Sequence, residues 1–130
     1  MHRVWQIGEG DYGSAGHARK EFAAFVQQVA APDSDCQAAV LIFGELVANA
    51  LKHGRGSVQA YVGPGAPFAI LWVEDAGEGF ALERVVQPIR GQLGGRGILI
   101  ARSLARSIRA AHVDAGRFRV TVELPVRLPA

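Results

Sequence analysis

Residues 35–54 read DCQAAVLIFGELVANALKHG, and this stretch decides the fold. Between Gln37 and Lys52 its only polar side chains are Glu45 and Asn49. With Asp33 or Asp35 as N-cap and Gly54 as the stop, it predicts a long, apolar, largely buried helix ending at Lys52 or His53. Glu45 and Asn49 are four residues apart and so share one helical face, with His53 a further turn along the same line. An unpaired buried carboxylate is costly, so Glu45 must either pair with a cation or face a hydrated pocket. A structural ion pair satisfies this spacing as well as a functional site does.

Working outward, residues 2 to 7 alternate as a short strand, and Gly8, Gly10 and Gly13 break the chain. A helix follows with Ala18, Phe22, Phe25, Val26 and Val29 on one side, and Pro32 ends it. Beyond Gly54, Val58 to Val62 and Phe68 to Asp75 read as strands joined around Gly63, Pro64 and Gly65. The second is apolar through Val73, which predicts a central strand. Residues 76 to 95 show little periodicity; a third helix is predicted from Arg96 to Ala110, then strands His112 to Ala115 and Arg117 to Leu124 turning at Gly116. This order predicts an α+β, two-layer sandwich, with three helices on one face of a mixed, mostly antiparallel sheet, in one domain spanning residues 1–130.

At 49% hydrophobic and 20% charged residues, the 130-residue chain is too apolar for disorder and long enough to bury a core without staples. One cysteine, Cys36, fits a reducing compartment. The longest apolar run, Ala38 to Phe43, is far short of a membrane span, and the first residues have no signal-type apolar core, so a cytoplasmic protein is expected. A net charge of +2 does not make the clustered basic footprint of a nucleic-acid binder. Arg102, Arg106 and Arg109 are expected on one solvated helical face.

Asp75 closes the apolar strand, with Gly77 and Gly79 just beyond it. A carboxylate at a strand end beside glycines suits a polar planar group such as adenine, although many such sequences are simple turns. Gly91, Gly94, Gly95 and Gly97 precede the third helix, whose first N–H groups suit a phosphate unless the segment is only a loop. Gly8, Gly10 and Gly13 spell a dinucleotide fingerprint, but a long helix follows where a parallel strand is required. There is no P-loop sequence, and one cysteine with four scattered histidines does not make a zinc site.

Taken together, these residues resemble the GHKL ATPases, the family of gyrase, heat-shock chaperones, histidine kinases and mismatch-repair proteins. Residues 45–54 resemble the N box, AspAlaGlyGluGlyPhe at 75–80 the DxGxG box, and GlyGlyArgGlyIleLeuIle at 94–100 the final glycine box. Small size and the LysHisGly ending are most similar to the stand-alone anti-sigma-factor serine/threonine kinases of bacteria. The resemblance implies the histidine-kinase-like ATPase fold, ATP and Mg²⁺ as cofactors, and a sigma factor and an anti-sigma-factor antagonist as partners, with no direct nucleic-acid or membrane contact. Members of this kind are often dimers, so a homodimer is compatible with it. It implies that Asn49 ligates Mg²⁺, that Glu45 is the general base or orients the attacking group, and that Lys52 and His53 lie beside the phosphates. Asp75 would accept from the adenine amino group, Gly77 and Gly79 would allow close approach, and Gly95, Arg96 and Gly97 would serve the phosphates. Thr121 is the counterpart of a threonine that often backs the adenine pocket, with its register left open. The alternative is a non-catalytic ATP-binding module that meets its partner in a nucleotide-dependent way; phosphotransfer to histidine would need a separate histidine-bearing protein.

Overall fold

Two aspartates set where the first helices begin. In the computed structural model, which describes residues 1–85 and 95–129, strand β1 (Arg3–Ile7) leads into helix α1 (Tyr12–Val29). The Asp11 carboxylate caps α1 by accepting from the Ser14 N–H at 3.0 Å and the Ser14 hydroxyl at 2.7 Å. Those bonds hold the Asp11 carboxyl below the usual carboxylate range. Asp35 caps helix α2 (Cys36–His53) in the same way, accepting from the Ala38 N–H at 3.0 Å, and Gly54 ends it.

The rest of the chain supplies β2 (Val58–Gly63), β3 (Ile70–Asp75), a 3₁₀ turn (Leu82–Arg84), α3 (Gly95–Leu104), β4 (Ser107–Val113) and β5 (Arg117–Glu123). The sheet runs β1-β2-β3-β5-β4, and each pairing along it is antiparallel. This is the α+β arrangement the sequence predicts, with three helices packed on the sheet and β3 at its centre. Ala69 precedes β3 and bonds instead to the C-terminal tail, through Val126 and Leu124.

The predicted third helix was too long. It ends at Leu104, and the residues from Ser107 onward pair with β5, from Ser107↔Glu123 to Val113↔Arg117. Ala, Leu and Arg favour helix locally, but Ile108 and Ala110 alternate with exposed neighbours, and the long ladder to β5 overrides propensity. The three arginines therefore share no helical face. Arg102 lies on α3, Arg106 follows it with its guanidinium 3.8 Å from the Phe68 ring centroid, and Arg109 sits on β4.

Between the layers, Phe22 of α1 and Phe43 of α2 are fully buried and stack with centroids 4.3 Å apart, and Trp5 of β1 meets Phe43 edge-on at 5.2 Å. These three aromatics fasten α1, α2 and the sheet edge into one core. Among the described residues, no helix is long and apolar enough to cross a membrane. Phe43→Ala should destabilise the fold by about 3–5 kcal/mol, measured by urea unfolding. Leu41→Ala, at a position 45% exposed, should stay within about 0.5 kcal/mol of wild type.

Candidate functional site

The C-terminal end of α2 and the end of β3 meet at Asp75. Its carboxylate is buried, at 7% exposure, and Oδ1 accepts from the Gly77 N–H at 2.6 Å and from the Arg55 N–H at 3.4 Å. No side chain would fit on either neighbouring glycine. A Cβ on Gly54 would lie 2.3 Å from Asp75 Cγ, and one on Gly77 2.8 Å from Asp75 Oδ1. The sequence marks Gly54 only as a helix stop; the structure makes it one wall of the cradle that holds Asp75.

Oδ2 of Asp75 carries no hydrogen bond among the described residues, and no fully buried side-chain oxygen or nitrogen there lacks a partner. Oδ2 is thus an acceptor fixed in place through Oδ1, with no donor on it among the described residues. Asn49 is in the same condition: half-buried, on the turn of α2 before Gly54, with an amide that bonds to no described group. Lys52 and His53 are exposed on the last turn, where the Lys52 ammonium suits the negative end of the helix dipole.

Beyond Gly77 the chain turns at Gly79, whose φ of +78° favours glycine, and a Cβ there would lie 2.2 Å from the Phe118 ring. At Gly77 and Gly79 alike, the room left by the missing side chain is filled by the chain itself. From the opposite side, the Glu9 carboxylate accepts from the Gly56 N–H at 2.7 Å and pins the turn after α2. Sequence reasoning missed Glu9, Arg55 and Phe118, since nothing local signals contacts across such separations.

Glu45 lies half-buried two turns before the end of α2. The first turn of α3 packs on it, with the position of a Gly97 Cβ only 2.8 Å from Glu45 Oε2. A cleft lined by Arg19, Val40, Leu41, Gly44 and Glu45 opens beside it. Gly95 begins α3; Gly91 and Gly94 fall outside the described residues, as does the Arg96 side chain. Thr121 is turned away. It pairs with Trp72 on the sheet face opposite Leu71, Val73 and Asp75, so it does not back this site.

Among the described residues there is no cluster of three or more His, Cys, Asp or Glu to hold a cation. Mg²⁺ is typically bound by few protein ligands, with phosphate oxygens and water completing its shell. The single open amide of Asn49 suits that role.

The family profile described as "Histidine kinase-like ATPase domain" matches residues 9–123. Among solved structures, the chain is similar to the RsbU and RsbW domains of Rv1364c from Mycobacterium tuberculosis, with 21% identity and a TM-score of 0.65 over 98% of this chain and 34% of that one. It thus spans about a third of that protein's length. It is also similar to the Acinetobacter baumannii histidine kinase AdeS, with 14% identity and a TM-score of 0.56, over 98% of this chain and 68% of that one. No curated protein matches it. At such identities the two structures establish the fold.

The cradle itself is testable without any ligand. Gly77→Ala should cost about 1–3 kcal/mol of stability, the usual scale of overpacking, in urea unfolding. Adding Asp75→Ala should relieve part of that cost, because the clash is with the carboxylate. Purely additive losses would place the strain elsewhere.

Proposed function

Because the chain belongs to the histidine kinase-like ATPase domain family, we propose that it binds ATP with Mg²⁺ in the cytoplasm and phosphorylates a serine or threonine of an anti-sigma-factor antagonist. When the antagonist is absent, it binds the sigma factor. The observation that carries the nucleotide part is Asp75, a carboxylate fixed through Oδ1 whose Oδ2 meets no donor among the described residues. In this reading Asp75 accepts from the adenine amino group, the first turn of α3 at Gly95 and Gly97 offers N–H groups to the phosphates, Lys52 and His53 lie beside the phosphates, and Arg96 adds positive charge. Asn49 would hold Mg²⁺, which would supply charge neutralisation at the phosphates. Glu45 takes the proton from the attacking hydroxyl as the bond from that oxygen to the terminal phosphorus forms and ADP leaves. Positioning and charge neutralisation then carry most of the catalysis.

One observation favours the second reading, a non-catalytic nucleotide-binding module. Glu45 already has a structural occupation, its carboxylate lying against the first turn of α3, where the helix dipole favours negative charge. A residue needed only there would leave the chain a binder.

ATP at a hundredfold excess over its Kd should raise stability by about 2.7 kcal/mol, read as a thermal shift. Asp75→Asn should abolish most of that shift, because its amide can present a donor where an acceptor is needed, and Asn49→Ala should remove the Mg²⁺ dependence alone. Glu45→Gln should lower phosphorylation of the antagonist by roughly a hundredfold or more, followed by intact-protein mass, with ATP affinity nearly unchanged. A wild type that binds ATP but transfers nothing to any cognate partner would establish the binding module instead.

A further inference from the structure

Arg102 is half-buried in the last turn of α3 and reaches back across the chain to the turn that follows the Asp75 loop. Its Nη1 donates to the Val85 carbonyl at 2.6 Å and its Nη2 donates to the Leu82 carbonyl. Both acceptors are backbone groups, so the contact grips the path of the chain rather than a side chain. A guanidinium fork fills two such acceptors at once from one rigid plane, which an ammonium group does not.

The two ends of this tether belong to the two halves of the site. On one side, Phe80 packs on Phe118 with centroids 5.2 Å apart, Gly79 lies against the same ring, and Phe118 is the strand partner of Asp75. Leu82 and Val85 continue that segment against the core. On the other side, α3 begins at Gly95 and rests its first turn on Glu45 through Gly97. A series of contacts thus runs from Asp75 through Phe118, the 79–85 segment, Arg102 and α3 to Glu45.

We propose that Arg102 is a positioning residue that couples the base-binding end of the site, at Asp75, to the phosphate-binding end, at the start of α3. This rests on the nucleotide reading above. Arg102 touches no nucleotide. It sets where the N–H groups of α3 stand relative to Asp75, so its loss weakens ligands that span both ends and spares those that use only one.

The test is calorimetric titration of wild type, Arg102→Gln and Arg102→Lys with adenosine and with Mg-ATP, alongside thermal melts. Arg102→Gln should lower the ratio of ATP to adenosine affinity by about tenfold, the scale of removing a charged hydrogen-bonding group, with adenosine affinity unchanged; Arg102→Lys should recover part of the ratio. Both ligands weakening in parallel with the melting temperature would mean a merely structural role and overturn the coupling. An unchanged ratio would overturn it too. A wild type that binds neither ligand would instead overturn the nucleotide reading, and the coupling with it. Hydrogen exchange on the ligand-free protein reads the tether separately: Arg102→Lys, the variant most able to keep the fold, should exchange faster than wild type at both Val85 and Ile98. Unaltered exchange at Ile98 would show that the grip on residues 82–85 does not reach the start of α3, which also overturns the coupling.

Discussion

One carboxylate occupies the space that two glycines vacate, and the geometry around the end of α2 depends on that fit. Asp75 lies so close to Gly54 and Gly77 that a methyl group on either would fall within 2.8 Å of it. The C-cap of α2, the end of the central strand and the start of the following loop are thereby locked to one another. The Gly77 and Arg55 N–H groups bond to the same oxygen, Oδ1. The constraint thus holds the backbone through one half of the carboxylate, and among the described residues the other half meets no donor. A simple Asp-Xxx-Gly turn would also bond the Gly77 N–H, but it would not require a glycine at position 54 on another element.

How much of this the sequence shows depends on whether the signal is local. The polar line of Glu45, Asn49 and His53 on an otherwise apolar helix is local, and the helix emerges with Asp35, one of the two N-caps the sequence offers, and Gly54 at its ends. Asp75 at the end of an apolar run is equally plain, and β3 is the central strand. The end of α3 was not legible. Residues 105 to 110 carry good helix formers, and only the ladder to β5, whose partner residues lie up to sixteen positions away, makes Ser107 onward a strand. The register of Thr121 had the same cause: it follows from the pairing Trp72↔Thr121, a contact between distant segments.

The outer face of the sheet holds a second feature that composition conceals. Glu74 is 6% exposed although it points away from the helices, because Arg119 Nε lies 2.8 Å and Arg117 Nε 3.5 Å from its carboxylate. Arg117 also donates to the Ser57 and Glu74 carbonyls, and Arg119 lies over the Trp72 ring at 4.2 Å. Removing one partner of such a buried group costs more than the group contributes, because the remaining charge is stranded. The two adjacent carboxylates of β3 are thus divided between the faces of the sheet. Glu74 is consumed by two arginines on the outside, while Asp75, facing the helices, meets only backbone N–H groups among the described residues.

That division explains why the neighbouring acids are not interchangeable. A carboxylate paired to guanidinium groups has its lone pairs and its charge already satisfied, whereas one held by N–H donors on a single oxygen keeps an acceptor in reserve. Glu45 presents the same question on α2. Its position against the first turn of α3 gives the negative charge a favourable field, and it stays half-exposed. The ion pair that the sequence left open for Glu45 is absent among the described residues, and Arg19, across the adjoining cleft, lies over Gly44 rather than bridging to it. A carboxylate seated against a helix terminus is anchored in place while still half-exposed, and the same packing that holds Glu45 leaves part of it facing the cleft beside α2.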